Sequence, residues 1–199
     1  MNLEELGIKH GTDKSGPKHH YTRDVYPQYL EALRDQPIRL LELGIYKGAS
    51  ARMWSEYLTH PKSEIVVADN WDLALKANVG RAKAVWCDFR MNTALRDLTK
   101  EGMFDVIIDD SSHIPVCQNE CLIELTKSLK PGGLYFIEDC HSGNNRKSLK
   151  NLQASTEETY TDYLMPQIHR LLVNAKTEPW ETIKIYPKVV VYKKKCAAS

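Results

Sequence analysis

Short β-branched and aromatic runs recur along this chain, and each breaks on a glycine or a carboxylate. Residues 38–44 read Ile-Arg-Leu-Leu-Glu-Leu-Gly, residues 64–69 read Glu-Ile-Val-Val-Ala-Asp, and a weaker run at 82–88 closes on Asp88. Residues 104–110 read Phe-Asp-Val-Ile-Ile-Asp-Asp and residues 134–139 read Leu-Tyr-Phe-Ile-Glu-Asp. Runs of this length bounded by polar signals fit strands buried in a parallel sheet. Between them lie helical spacings: Met53, Trp54, Tyr57 and Leu58, then residues 93–101 and 116–129. The βαβαβαβαβ order predicts an open α/β sheet.

The ends of the chain follow different patterns. Residues 1–22 are dense in Gly, Pro, Ser and His and are expected to form a loop, a lid or a lead-in with Leu3, Leu6 and Ile8 at its start. Residues 21–33 place Val25, Tyr29, Leu30 and Leu33 at helical spacing, and Asp35-Gln36-Pro37 stops that helix. Residues 142–151 read as a polar, basic loop, and residues 156–173 as a helix that Pro166 must kink or split. Residues 182–186 and 189–192, divided by Pro187-Lys188, predict a closing antiparallel hairpin. With 199 residues and no repeat or linker, the expectation is one domain.

Charge narrows the partners. The chain has 27 basic against 26 acidic residues, so no global field points to nucleic acid or a membrane surface, and Lys193-Lys194-Lys195 reads as a solvated strand end. Five cysteines without a Cys-x-x-Cys pair suggest free thiols in a reducing compartment, with Cys117 and Cys121 as small buried hydrophobes. No apolar run approaches the ~20 residues of a membrane span and no leader opens the chain, so a cytoplasmic protein is expected. The oligomeric state stays open.

The chemistry concentrates at two strand ends. Both the 104–110 and the 134–139 run end in paired carboxylates followed by a histidine, giving Asp109, Asp110 and His113, then Glu138, Asp139 and His141. Ligands of such sheets bind beyond the carboxyl ends of the strands, so these side chains form a candidate active site. Asp109 should point away from Asp110 by strand alternation and serve a structural role. His141 reads equally well as a neighbour of a ligand and as a surface histidine. Earlier, Gly44, Gly48 and Ser50 join a strand to a helix in the manner of a small-ligand cradle, with free backbone N–H groups at the helix start. Asp69, ending the second run, stands where nucleotide-binding sheets bond ribose hydroxyls. Trp54 and Tyr57 are expected in the core, and His19, His20, His60 and His169 at the surface or in loops.

Taken together, Glu42-Leu-Gly44-x-x-x-Gly48-x-Ser50, Asp69, Asp88 and the closing hairpin resemble class I S-adenosylmethionine-dependent methyltransferases. The Gly-Thr-Asp-Lys of residues 11–14, the Asp-Asp-x-Ser-His of 109–113 and the Lys-Pro-Gly-Gly-x-Tyr-x-Ile-Glu-Asp-x-His of 130–141 resemble, more narrowly, the metal-dependent sugar O-methyltransferases of macrolide and rhamnosyl-polyketide tailoring. The resemblance implies a Rossmann-like, doubly wound, seven-stranded and mostly parallel sheet with a C-terminal antiparallel hairpin. It implies a lid and helix over residues 1–35, a cofactor and metal core over 36–141, and an acceptor-side region over 142–199. It also implies roles: Glu42, Gly44, Gly48 and Ser50 around the methionine part of S-adenosylmethionine, Asp69 at the ribose, Asp88 near the adenine, and Tyr21 closing over the cofactor with the Gly-Thr-Asp-Lys loop. Trp71 either stacks on adenine or packs. Asp110, Glu138 and Asp139 match the family's divalent-metal ligands, and His113 its base. Ser111 departs from the family, which usually carries Gly there, so the loop before His113 is expected to sit differently.

The implied function is Mg²⁺-dependent O-methylation of a sugar hydroxyl, on a deoxysugar such as rhamnose in a glycan or glycoside. Three carboxylates without a Cys/His set suit Mg²⁺ better than zinc. The alternatives are an O-methyltransferase of a non-sugar vicinal diol and a non-catalytic cofactor-binding domain. A nicotinamide-dependent oxidoreductase would need Gly-x-Gly-x-x-Gly, which Gly44-x-x-x-Gly48 does not match.

Overall fold

The computed structural model describes residues 1–140 and 159–197. Its strands are β1 (Arg39–Leu43), β2 (Glu64–Asp69), β3 (Lys83–Trp86), β4 (Phe104–Asp109), β5 (Leu129–Ile137), β6 (Trp180–Tyr186) and β7 (Val189–Lys194). They form one seven-stranded sheet in the order β3-β2-β1-β4-β5-β7-β6. β1, β2 and β3 pair in parallel, as do β4 and β5, whereas β7 runs antiparallel to both β5 and β6. The expected doubly wound sheet with a closing hairpin is therefore present, and Lys188, at φ 68°, makes the hairpin's tight turn. The chain clusters into two compact units, Met1–Asp88 and Phe89–Ser199.

In the first unit, Leu40, Leu41, Leu43, Val67 and Ala68 are fully buried. Three helices flank these strands: α1 (Leu3–His10), α2 (Pro27–Leu30) and α3 (Ala49–Tyr57). The four-residue α4 (Asp72–Leu75) follows β2. Trp54 and Tyr57, on α3, are buried as expected. The helix α1 corrects the expectation of a loop at the start of the chain. Its signals are a capping box, in which Asn2 Oδ1 accepts the Glu5 N–H and Glu5 accepts the Asn2 N–H, both at 2.9 Å, and a left-handed stop at Gly11. The apolar face of α1, Leu3 and Leu6, is buried, and Lys9 on its outer face pairs with Glu56 of α3 at 2.7 Å.

The single helix expected over 21–33 is instead a π turn (Tyr21–Val25), α2 and a 3₁₀ turn (Glu31–Leu33). Pro27 has no N–H to offer the preceding turn, and just before it the ladder widens so that Tyr26 N–H bonds Tyr21 O at 2.8 Å.

In the second unit, Val106, Ile107, Ile108, Phe136 and Ile137 make the buried strand pair. The helices α5 (Asn92–Thr99), α6 (Pro115–Leu125) and α7 (Tyr160–Val173) belong to this unit. β5 starts earlier than its apolar run, because the pairing shifts between Phe104↔Leu129 and Val106↔Leu134 and so absorbs Lys130-Pro131-Gly132-Gly133 as a bulge. Pro166 does not split α7, which runs unbroken through it. The expected helix residues 156–158, the loop 142–151 and His141 lie outside the described residues. Tyr160 on α7 is tied to β7 by a hydroxyl–hydroxyl bond to Tyr192 at 2.7 Å. None of the five cysteines is bridged, Cys121 is buried and Cys117 half-buried, and no helix among the described residues is long and apolar enough to cross a membrane.

Gly7 shows how tightly α1 is seated: a Cβ there would fall 1.7 Å from Ser15 Oγ and 2.8 Å from Ser15 Cβ. Alanine is the better helix former by ~1 kcal/mol, but overpacking a buried contact costs about 1–3 kcal/mol, so the collision wins. Gly7→Ala is expected to lower the unfolding free energy in urea by up to about 2 kcal/mol, the remainder of those two terms. A stabilised Gly7→Ala protein would show that α1 is not held where it lies.

Candidate active site

The first cluster is built at the carboxyl ends of β1 and β2. Leaving β1, the backbone turns left-handed at Gly44 (φ 96°), Tyr46 (φ 48°) and Gly48 (φ 73°) before α3 begins. At Gly48 a Cβ would lie 2.3 Å from the backbone oxygen of Asn78, so only glycine lets these segments approach. Gly48, at the N-cap of α3, has no side chain with which to cap the helix's first turn.

Glu42 lies behind this loop and is fully buried. Its carboxylate accepts the Ser50 hydroxyl at 2.7 Å and the Trp54 indole N–H at 3.2 Å, and the Lys14 ammonium lies 3.5 Å away. Lys14, the last residue of the Gly-Thr-Asp-Lys segment, is itself 1 % exposed. A buried charge of either sign is costly alone, so this pair binds the amino-terminal segment to β1. The sequence marked that segment and Glu42 separately; nothing in their spacing announced their contact.

Asp69 sits at the expected strand end, but its carboxylate is already engaged. Oδ2 accepts the N–H groups of Ile45 at 2.8 Å and Tyr46 at 3.3 Å, and Oδ1 that of Trp71 at 3.0 Å. Asp69 therefore braces the glycine loop, a role its position alone did not reveal. Asp88 is half-buried just past β3, and the Trp71 ring is 48 % exposed rather than packed. Tyr21 is buried and stacks on His19, with ring centroids 4.8 Å apart. His19 is thus a buried loop residue; His20 and His169 are exposed and His60 half-buried.

The second cluster stands at the carboxyl ends of β4 and β5. His113 and Asp139 each adopt φ 54°, a left-handed backbone that side chains rarely take and that costs ~1–3 kcal/mol per residue. His113 Nε2 lies 3.8 Å from Asp110 Oδ1 and 3.8 Å from Asp139 Oδ2. One ligand atom from each of the three falls within 4.8 Å of the others. Neighbouring ligands of a cation bound at ~2.1 Å stand about 3 Å apart and opposed ones about 4.2 Å, so the two carboxylates could close on a small divalent ion with the imidazole beside it. His113 Nδ1 is buried with no hydrogen-bond partner among the described residues.

Glu138 is not one of that trio. It is 2 % exposed, its N–H donates to the Asp109 carbonyl at 2.9 Å, and its carbonyl accepts from Gln118 Nε2 at 2.9 Å. Asp109 is fully buried, as strand alternation predicted, while Asp110 is half-buried. Burial pushes the Asp109 carboxyl up to about 6, against the opposing pull of its bonds from Ser111. Burial, then the nearby Asp109, likewise push the Cys140 thiol up to about 12.

No protein-family model matches the chain. It is 34% identical over 145 residues to L-olivosyl-oleandolide 3-O-methyltransferase of Streptomyces antibioticus, covering 69% of this chain and 36% of that protein. To mycinamicin VI 2''-O-methyltransferase of Micromonospora griseorubida it is 33% identical over 148 residues, again 69% of this chain and 36% of the relative. The matched region thus spans about a third of the length of these curated relatives. Among solved structures, the MycE methyltransferase of the mycinamycin biosynthetic pathway, in complex with Mg and SAH, superposes with a TM-score of 0.83 at 26% identity over 98% of this chain and 55% of that one. With this sheet order, the left-handed glycine loop after β1 and this superposition, the chain has the Rossmann-like methyltransferase fold and is similar to sugar O-methyltransferases.

Proposed function

We propose that the chain is a divalent-cation-dependent O-methyltransferase that transfers the methyl group of S-adenosylmethionine to a sugar hydroxyl, on a deoxysugar such as rhamnose in a glycan or glycoside. The observation that carries the reading is the convergence of Asp110, His113 and Asp139 at two strand ends, on backbone held left-handed at two of the three. Relatives that methylate sugar-bearing macrolides support it. Asp110 and Asp139 would hold the cation, with Glu138 as the third carboxylate that the motif supplies, and Mg²⁺ suits such oxygen donors. A non-catalytic cofactor-binding domain would have no use for carboxylates gathered at one edge, which repel one another unless a cation neutralises them.

The two bound groups would supply an electrophilic methyl and a Lewis acid that lowers the pKa of the acceptor hydroxyl. The protein's own part is to orient and to move a proton. Glu42, Ser50 and the glycine loop would seat the cofactor, with Asp69 holding the loop's N–H groups and taking the ribose, Asp88 lying near the adenine and Tyr21 closing over it. His113 Nε2, beside Asp110 and Asp139, would accept the hydroxyl proton.

Purified protein with labelled S-adenosylmethionine and a rhamnosyl glycoside is expected to transfer the label only when Mg²⁺ is present. Transfer that is absent, or indifferent to a chelator, would overturn the reading. Asp110→Asn should abolish transfer while binding S-adenosylhomocysteine as the wild type does in calorimetry. His113→Ala should cost less, about 100-fold in rate, if the cation does most of the activation.

Asp109 adds a pH test. Its carboxyl is raised in the folded chain, so the native state holds a proton that the unfolded state has already released, and stability falls as pH rises from about 4 to about 6. In chelator-treated protein, Asp109→Asn is therefore expected to be more stable than wild type at pH 7.5 by about 2–3 kcal/mol, an advantage that disappears below pH 4. Urea unfolding at both pH values measures it, and a variant that is less stable at pH 7.5 would refute the burial penalty.

A further inference from the structure

A side-chain tether lies behind the Asp110–His113 loop. Asp109 ends β4 with none of its surface exposed, so its carboxylate has to be met by donors within the protein. Its Oδ1 accepts the Ser111 hydroxyl at 2.6 Å and the Ser111 N–H at 3.3 Å, and its Oδ2 accepts the Tyr135 hydroxyl at 3.4 Å. Tyr135 is a fully buried residue of β5, and the Glu138 N–H fixes the Asp109 carbonyl from the same side. Asp109 is therefore anchored to β5, and Ser111 is anchored to Asp109.

This arrangement bears on Asp110, which is the residue between them. The chain has to leave β4 at Asp109 and enter α6 at Pro115, passing through His113 in a left-handed conformation. Backbone of that kind persists only where the surroundings over-determine it. The two bonds from Ser111 close a small ring on the buried carboxylate, and this ring holds the backbone of Asp110 on both sides. A residue without a hydroxyl would keep the N–H bond and lose the shorter one.

We infer that Ser111 is a positioning residue: bonded to the buried Asp109 carboxylate, it sets the Asp110–His113 loop so that Asp110, His113 and Asp139 converge before a cation arrives. The inference rests on the reading of that cluster as the cation site. Ser111 touches neither cation nor substrate in this account, and its effect is on the readiness of the site. Hydrogen-bond partners behind metal ligands act in this way, and their loss typically lowers metal affinity about 10- to 100-fold.

The test uses Mn²⁺ as the probe, titrated into the full chain and followed by electron paramagnetic resonance, beside calorimetric binding of S-adenosylhomocysteine and thermal melting. Ser111→Ala is expected to weaken Mn²⁺ binding about 10- to 100-fold while S-adenosylhomocysteine binds within about twofold of wild type. Ser111→Thr, which keeps the hydroxyl, is expected to restore Mn²⁺ affinity, and Ser111→Gly is not. Wild-type Mn²⁺ affinity in Ser111→Ala would overturn the inference. So would a loss of Mn²⁺, S-adenosylhomocysteine and melting temperature together, which would make Ser111 merely structural. Asp110→Asn separates the levels: if it keeps Mn²⁺, the cation reading fails and this inference with it. If Asp110→Asn loses Mn²⁺ and Ser111→Ala does not, only the role of Ser111 falls.

Discussion

A carboxylate sealed from water has to be met by donors, and two such groups set the form of both strand-end clusters. Glu42 in β1 and Asp109 at the end of β4 are fully buried. Each would cost several kcal/mol if left bare, and each is met by groups from a different part of its own unit. Ser50 and Trp54 bring α3, and Lys14 brings the amino-terminal segment, onto Glu42. Ser111 brings the following loop, and Tyr135 brings β5, onto Asp109. The apolar strands supply the driving force for folding, but these two acids decide where the loops at the strand ends come to rest.

The solutions differ in kind. Glu42 is met by the Lys14 ammonium beside the Ser50 hydroxyl and the Trp54 N–H. Asp109 is met by two hydroxyls and one N–H, and burial outweighs them, so its carboxyl is raised. A group held at such a cost is the usual signature of a site where geometry takes precedence over stability. The left-handed residues His113 and Asp139, on the two loops that follow β4 and β5, point the same way.

Much of this was legible in the sequence. The strands β1, β2 and β4 and the hairpin followed from short apolar runs, and alternation alone separated Asp109 from Asp110. Composition misled where local signals were short: Gly, His and Lys obscured α1, although Asn2 and Glu5 spelled its capping box and Gly11 its stop. Pro27 broke a helix whose apolar spacing looked continuous, yet Pro166 did not, because α7 tolerates the missing bond within a long helix. β5 exceeded its apolar run because a bulge carries Pro131 and two glycines within the strand. The occupied carboxylate of Asp69, the Lys14–Glu42 pair and the Ser111 tether were not readable, since each depends on which atoms meet once the backbone is set and not on residue type or spacing.

The Lys14–Glu42 pair has a consequence for how this chain can be handled. An amino-terminal segment before a first strand invites trimming, whether by a protease or at the bench. Here, removing the residues up to Lys14 would leave a fully buried glutamate without its counter-charge directly behind the glycine loop. The first fourteen residues are thus part of what holds β1 and the loop that leaves it, and a shortened chain would be altered there even if every strand still formed.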